Sequence, residues 1–145
     1  MNKTKFLIII LISSLVAMFT SIYLLNQHYS NQSSFCNISE NFSCDVVNRS
    51  IYSEILGIPI SLISIITFYF ISISMIALLK EEKLFVLDNN DLIKINFYLI
   101  IASFIFSLYL IYIQAFVLFT ICILCVLLDI LIIINLISIK QLKNF

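Results

Sequence analysis

Four cysteines are the most redox-active side chains of this 145-residue chain, and they occur as two pairs. Cys36 and Cys44 lie in a polar stretch, whereas Cys122 and Cys125 form a Cys-Ile-Leu-Cys motif in an apolar stretch. Thiols and disulfides exchange through direct contact between sulfur atoms, so two neighbouring pairs can pass electrons from one to the other. The two pairs therefore favour a redox relay.

The composition indicates which elements position these cysteines. Hydrophobic residues make up 62% of the chain and charged residues 11%, and there is one glycine and one proline. A soluble domain is about half apolar and about a quarter charged. We predict an all-α membrane protein, a four-transmembrane-helix bundle that forms a single domain over 1-145 and crosses the membrane with spans of about 20 residues. The predicted spans are 6-25, 59-79, 95-113 and 117-139, with the last turn near Gln114.

The basic residues test this division independently. With four spans, every lysine falls on one side of the membrane: Lys3, Lys5, Lys80, Lys83, Lys94, Lys140 and Lys143. Basic residues accumulate on the cytoplasmic side, so both termini are expected in the cytoplasm and the loop 26-58 outside it. The first span is expected to be a retained helix, because its apolar run is long for a signal peptide and lacks a clear cleavage site. The net charge of zero gives no footprint for nucleic acid.

The outer loop 26-58 has a pattern of its own. Apolar residues recur there at helical spacing, at Val47, Ile51 and Ile55. Gly57 is a stop signal, and Pro59 suits the first turn of the second span. We expect a short amphipathic surface helix that begins at Cys44, where the positive end of the helix dipole favours a thiolate.

Cys122 and Cys125 are three residues apart and would face one way within a helix. With a fourth span that starts near residue 117, Cys122 would lie about 7 to 8 Å and Cys125 about 12 Å below the outer surface. A water-soluble protein cannot reach that depth, whereas a lipid-soluble redox partner can. A loop cysteine can reach the shallower of the two thiols.

Other interpretations of the cysteines stay open on the residues alone. A Cys-x-x-Cys pair in a membrane helix is more often packing than chemistry, because free cysteine is a common small apolar residue. The loop pair could be a plain stabilising disulfide. Four thiolates could also bind a metal, although two of them lie in lipid without a nearby histidine. The two pairs on one side of the membrane favour the relay over these alternatives.

Two further polar residues are candidates for function. A carboxylate within a membrane is costly and by default faces the bundle interior, and Asp129 shares a helix face with both motif cysteines. We expect Asp129 either to lie on a proton route or to make a structural hydrogen bond to Asn96 or Asn135. His28, the only histidine, has no carboxylate fixed near it in sequence and is expected to be exposed.

The ordered set of cysteines resembles the vitamin K epoxide reductase family. The resemblance rests on the segment from Cys36 through Cys44 to Ser50, then Gly57-Ile58-Pro59, then Cys122-Ile-Leu-Cys125, and it covers nearly the whole chain. That family is a four-helix membrane bundle, and its bacterial members oxidise a thioredoxin-like partner and reduce a quinone. The resemblance implies that Cys36 exchanges with the partner, that Cys44 shuttles to Cys122 and that Cys125 lies at the quinone. It also implies that Ser50 helps to position the surface helix.

The chain departs from the family in three places. Many bacterial members carry a fused thioredoxin-like domain after the bundle, and this chain ends at Phe145, so a separate partner is expected. Ser61 and Ser64 stand in the second span where relatives are rich in glycine. Asp129 stands where vertebrate members have a tyrosine that contacts the quinone. Tyr112 and Gln114, at the outer end of the third span, are the expected quinone contacts in this chain.

We therefore predict a quinone-dependent thiol oxidoreductase of the bacterial inner membrane that supports disulfide bond formation. Its acceptor would be ubiquinone, menaquinone or a vitamin K type quinone, and no metal is expected. One alternative is an oxidase of the disulfide bond formation protein B type, although there both cysteine pairs lie in outer loops and the Cys-x-x-Cys pair comes first. Another is a non-enzymatic small membrane subunit with a structural loop disulfide.

Overall fold

Four long helices and one short helix form the computed structural model, which describes residues 2-84 and 86-145. The helices are α1 (Lys3–Tyr29), α2 (Cys44–Asn48), α3 (Ile60–Lys80), α4 (Asn89–Tyr112) and α5 (Ile123–Lys143). The four long ones are each apolar enough to cross a membrane. The chain is an integral membrane protein, and the predicted all-α four-helix architecture is confirmed.

The bundle is held together by apolar packing around α1. This helix packs against α3 and α5, and α4 packs mainly against α5. The buried core includes Ile10, Ile71, Met75, Ile100 and Ile139. Some hydroxyl groups inside the helices bond to the preceding turn; for example, Ser72 donates to the carbonyl of Phe68 at 2.8 Å. Such bonds remove the cost of an unpaired polar group in lipid.

The two ends of the bundle carry different charges. Lys3, Lys94 and Lys143 line one surface depression, so the start of α1, the start of α4 and the end of α5 lie at the same end. Arg49 lies at the other end, where its guanidinium donates to the main-chain carbonyls of Gln27 and Gln32. The lysines are thus distributed as the sequence predicts. Which compartment each end faces stays a prediction.

The turn between the last two spans differs from the prediction. The helical path of α4 continues through a π-helical segment, Ile113–Val117, so Gln114 lies inside the helix and the turn falls at 118-122. This turn contains neither glycine nor proline, and Phe119 adopts a φ of 51° there. Hydropathy cannot locate such a turn because its residues are as apolar as the helices on either side. Likewise, α4 begins at Asn89, six residues before the predicted span. The predicted span starts late because the first turn of α4 is polar and hydropathy does not include it.

The outer loop contains less helix than predicted. After α2 the chain forms a 3₁₀ turn, Ile51–Ser53, and a hairpin of β1 (Glu54–Ile55) and β2 (Ile58–Pro59). The prediction of a helix through Ile51 and Ile55 is wrong, because the Ser50 hydroxyl donates to the carbonyl of Val47 at 2.8 Å and ends α2 there. Leu56 and Gly57 form the hairpin turn, with φ of 53° and 81°.

The expectation that His28 is exposed is also wrong. His28 lies in the last turn of α1, and its side chain is 7% exposed. Its Nε2 lies 2.8 Å from a carboxylate oxygen of Glu54, and its Nδ1 lies 2.6 Å from the carbonyl oxygen of Asn48. The hairpin brings Glu54 to His28 from a distant part of the sequence, so no local pattern marks the pair.

Candidate functional site

The outer-loop pair is a disulfide. Cys36 and Cys44 are bonded to each other, with their Cα atoms 5.8 Å apart, while Cys122 and Cys125 are free thiols. Ser43 is the N-cap of α2 and accepts a hydrogen bond from the Val46 N–H at 3.4 Å, so Cys44 is the first residue of this helix. Both disulfide cysteines are buried, at 3% and 1% exposure. A partner protein therefore cannot reach this disulfide without movement of the loop.

A polar network surrounds the disulfide and was missed in the sequence. The Asp45 carboxylate accepts hydrogen bonds from the Ser34 main-chain N–H at 3.0 Å and from the Asn37 amide. The Ser34 hydroxyl lies 3.3 Å from the Cys36 sulfur. Burial raises the pKa of Asp45, but the hydrogen bonds from Ser34 and Asn37 and the charge of Arg49 outweigh burial and lower the pKa from its usual range. Asp45 is therefore an ionised carboxylate at neutral pH, and its hydrogen bonds hold Ser34 and Asn37 in place beside the disulfide.

The second cysteine pair spans the start of α5, with only Cys125 inside the helix. Because α5 begins at Ile123, Cys122 is the N-cap and Cys125 lies in the first turn. The Cys122 sulfur accepts a hydrogen bond from the Cys125 N–H at 3.3 Å. The expected depths of Cys122 and Cys125 assume a helix that starts near residue 117, and that assumed start is wrong because α5 begins at Ile123.

All four cysteines lie at one end of the bundle. Cys36, Cys44 and Cys122 belong to a single buried apolar cluster, and Cys125 packs against it. Leu24 of α1 and Val47 of α2 complete the buried part of this cluster. The structure thus brings together the two pairs that the sequence separates by about 80 positions.

The outer loop is fastened directly to the turn that precedes Cys122. The Ile121 N–H donates to the carbonyl of Asn41 at 2.9 Å, and Phe42 and Ile121 pair as an isolated parallel β-bridge. The Thr120 hydroxyl donates to the carbonyl of Glu40 at 3.4 Å. These contacts hold the loop that carries the disulfide against the start of α5.

A cavity of about 300 Å³ lies beside the second pair, between α3, α4 and α5. Its walls are mostly apolar, and Cys125 lines it whereas Cys122 does not. Ser50, Ser61 and Ser64 also line the cavity, so these serines face the same space as the Cys125 thiol. The two motif cysteines therefore have different surroundings, one facing the loop disulfide and the other facing the cavity.

Asp129 also lines the cavity, but its partner is not the one expected. The Ser107 hydroxyl of α4 donates to Asp129 Oδ1, while Oδ2 is buried and has no hydrogen-bond partner among the described residues. The expected bond to Asn96 or Asn135 is wrong. The Asn96 amide bonds within its own helix, and Asn135, six residues after Asp129, lies on another face of α5 and bonds to serines of α1.

Tyr112 and Gln114 occupy different environments. Gln114 is buried, lines the cavity and accepts a hydrogen bond through Oε1 from the Cys122 N–H at 2.9 Å. Tyr112 is 56% exposed, its ring lies 5.3 Å from that of Phe116, and it is not among the residues that line the cavity. The role of Tyr112 as a quinone contact stays a prediction.

Comparison with models of known families gives a match over most of the chain. Residues 8–139 match the model of the vitamin K epoxide reductase family, which is nearly the whole length of the chain. A search of curated proteins found no match.

Proposed function

The chain belongs to the vitamin K epoxide reductase family and is a membrane thiol oxidoreductase, and from this premise we propose that it transfers electrons from a thioredoxin-like protein to a membrane quinone. One observation carries the proposal: Cys122 is buried in a cluster with the loop disulfide, while Cys125 lines an apolar cavity. A dithiol with one sulfur beside the loop disulfide and the other beside the cavity can receive electrons from the loop and deliver them to a lipid-soluble acceptor. Because the chain belongs to this family, we do not propose the alternative of an oxidase of the disulfide bond formation protein B type.

The proposed orientation is that of a bacterial inner-membrane protein. The single domain 1-145 would place both termini in the cytoplasm and the loop 26-58 in the extracytoplasmic space, because the lysines gather at the opposite end from the disulfide. That space is oxidising enough for a loop disulfide to persist. The thioredoxin-like partner would be a separate extracytoplasmic protein.

The first exchange takes place at Cys36. A thiolate of the partner attacks the Cys36 sulfur, the Cys36–Cys44 bond breaks, and the Cys44 thiolate is released. The second thiol of the partner then attacks the mixed disulfide, which releases the oxidised partner and the reduced Cys36. Because Cys36 is 3% exposed, we propose that residues 34-37 swing away from the cluster before this attack.

The second exchange connects the two pairs. The Cys44 thiolate attacks Cys122 of an oxidised Cys122–Cys125 pair, and the Cys125 thiolate is released. Cys36 then attacks Cys44, which restores the loop disulfide and leaves Cys122 reduced. The product has the same arrangement as the present structure, with a loop disulfide and two free thiols at the start of α5.

The cavity fits a quinone ring in size and in chemistry. Its volume of about 300 Å³ and its apolar walls suit a ring with a lipid tail, and the hydroxyls and amide along it can contact the ring oxygens. A bound quinone, whether ubiquinone, menaquinone or a vitamin K type, supplies an acceptor for two electrons and two protons. Cys122 and Cys125 provide both electrons and both protons when they close their disulfide, so no metal is required.

Asp129 would move a proton between Cys125 and the cavity. Both Asp129 and Cys125 line the cavity, and they are four residues apart on one face of α5. Ser107 holds Oδ1, so the unpaired Oδ2 is the atom that can exchange a proton. Ser50 would act indirectly, because its hydroxyl ends α2 and its side chain forms part of the cavity wall.

The test is a reconstituted assay of dithiol-driven quinone reduction in lipid vesicles. Wild type should reduce quinone with a thioredoxin-like dithiol as donor, Cys36→Ala and Cys122→Ser should abolish that reduction, and the two variants should accumulate different mixed disulfides. A wild-type protein with no quinone-linked activity, together with a Cys36→Ala variant that is only less abundant, would instead support a non-enzymatic subunit with a structural disulfide.

A further inference from the structure

Gln114 lines the cavity, and its side chain also hydrogen-bonds to the main chain of Cys122. We infer that its carboxamide couples the cavity to the Cys-x-x-Cys pair: Oε1 positions Cys122, and Nε2 donates to a carbonyl oxygen of the bound quinone. This inference rests on the proposed function and adds a positioning residue to it.

The chemistry of the bond fixes the orientation of the carboxamide. A main-chain N–H can only donate, so the atom that lies 2.9 Å from the Cys122 nitrogen must be the acceptor Oε1. The Nε2 group, with its two N–H donors, then lies at the other edge of the planar carboxamide, directed away from the Cys122 N–H. No hydrogen bond with the described residues engages it. Gln114 is 4% exposed and lines the cavity, so an acceptor for its Nε2 group can be supplied from the cavity, and a quinone carbonyl is such an acceptor.

Gln114 holds the turn before Cys122 at two points. Its main-chain carbonyl accepts a hydrogen bond from the Thr120 N–H at 3.1 Å, and its side chain accepts the one from Cys122. Immediately before Thr120 lies Phe119, whose φ of 51° is unfavourable for a residue with a side chain. Gln114 is thus the residue of α4 and its π-helical extension that holds this turn next to Cys122, together with the bond from Ile121 to Asn41 of the outer loop.

The local helix geometry explains how Gln114 reaches both places. The π-helical segment Ile113–Val117 adds a residue to the helical turn, and the Leu118 N–H donates to the Ile113 carbonyl at 2.9 Å. A π-helical turn changes the direction of the side chains within it relative to the preceding α-helix, and such segments are frequent at functional sites. In a plain α-helix that continued from Tyr112, Gln114 would lie on a different part of the helix surface.

Two variants separate the two halves of the inference. Gln114→Glu keeps the acceptor oxygen and loses the Nε2 donor, whereas Gln114→Met has nearly the same shape and loses both. We expect Gln114→Glu to raise the KM for quinone about tenfold, the range of one lost hydrogen bond, and to leave the rate of Cys44–Cys122 exchange within about twofold of wild type. Gln114→Met should raise the KM similarly and also slow that exchange about tenfold.

Cys44–Cys122 exchange is measured without quinone, by trapping the mixed disulfide in a Cys125→Ser background. Gln141→Met, an exposed glutamine at the far end of α5, is the matched control and should change neither quantity. Thermal unfolding of each variant identifies those that are simply misfolded. Unchanged exchange in a folded Gln114→Met, or an unchanged KM in Gln114→Glu, would overturn the inference. If wild type itself fails to reduce quinone, the proposed function fails, and the exchange measurement still tests the positioning of Cys122.

Discussion

The two cysteine pairs are positioned by different physical means. Cys36 and Cys44 are held by a network of polar side chains in a loop, with Asp45 at its centre. Cys122 and Cys125 are held by a helix start, where the Cys122 sulfur is itself the cap, and by Gln114 behind it. Hydrogen bonds to water can replace those of the first network, whereas little can replace those of the second inside the bundle. The outer pair is therefore built to open towards a protein, and the inner pair is built to stay in place.

The largest expected effect is the loss of quinone reduction when one of the two sulfurs of the Cys122–Cys125 pair is removed. Cys125→Ser should lower quinone reduction by about a thousandfold or more, because it removes the sulfur that faces the cavity. It should leave the free Cys122 thiolate able to attack Cys44 of the loop disulfide with release of the Cys36 thiolate, so a Cys44–Cys122 disulfide should accumulate. Mass spectrometry of alkylated peptides detects that species.

The contrasting variant at the inner pair is Cys122→Ser. It should abolish quinone reduction equally and prevent any disulfide between the loop and α5. If the loop disulfide exchanged with Cys125 in this variant as fast as with Cys122 in Cys125→Ser, the two thiols would not have the separate roles that their surroundings indicate.

The next effect concerns Asp129, which belongs to the inner region. If Asp129 carries protons at the cavity, Asp129→Asn should lower the rate of quinone reduction on the order of a hundredfold, within the usual range for general acid–base catalysis. Ser107→Ala, which frees Oδ1, should have a smaller effect. Cys44–Cys122 exchange needs no quinone and should be unaffected, as measured in the trapping assay.

The control for this prediction is Asp91→Asn, an exposed carboxylate in the first turn of α4. It should behave as wild type in both assays. Quinone reduction by Asp129→Asn at the wild-type rate over the whole pH range would leave Asp129 only the structural hydrogen bond to Ser107.

The same contrast explains how much of the molecule the sequence predicts. The number of long helices and the grouping of the lysines at one end depend on the distribution of apolar and basic residues along the chain. The sequence therefore predicts both. The Ser107–Asp129 and His28–Glu54 contacts join residues from separate elements, and no local pattern specifies them. The turn at 118-122 lacks any glycine or proline, so its position depends on bonds from Gln114 and Asn41 that form only in the folded bundle.

A third prediction tests whether the outer pair is held by polar bonds. Asp45→Asn weakens the carboxylate bonds that close the loop, so a small dithiol should reduce the Cys36–Cys44 disulfide about five to ten times faster at pH 7. Because the pKa of Asp45 is lowered in the folded protein, its stabilising effect is present above the pKa of the unfolded chain. The effect is lost as the pH falls through the lower, folded-state pKa, so the difference between variant and wild type should shrink in acid.

Glu40→Gln is the control for the outer pair, since Glu40 lies in the same loop and contacts the α5 turn only through its main-chain carbonyl. Its disulfide should be reduced at the wild-type rate at every pH. Equal rates in Asp45→Asn and wild type at pH 7 would show that the apolar cluster, and not the polar network, keeps the outer pair closed.

The smallest effect is expected at the hairpin, where the outer loop meets the end of α1. Glu54→Gln removes the charge opposite His28 Nε2 but keeps an acceptor, and the Glu54 side chain is 42% exposed, so the loss should be at most about 1 kcal/mol of local stability. Amide hydrogen exchange in β1 and β2 should then become a few times faster, by up to about fivefold. Quinone reduction and reduction of the loop disulfide should both stay within about twofold of wild type, because the hydrogen bonds of the His28 ring go to Asn48 and Glu54 and not to a cysteine. If Glu54→Gln accelerated reduction of the loop disulfide as much as Asp45→Asn does, the hairpin and the polar network would open as one unit. The part of the molecule that opens would then extend to the end of α1.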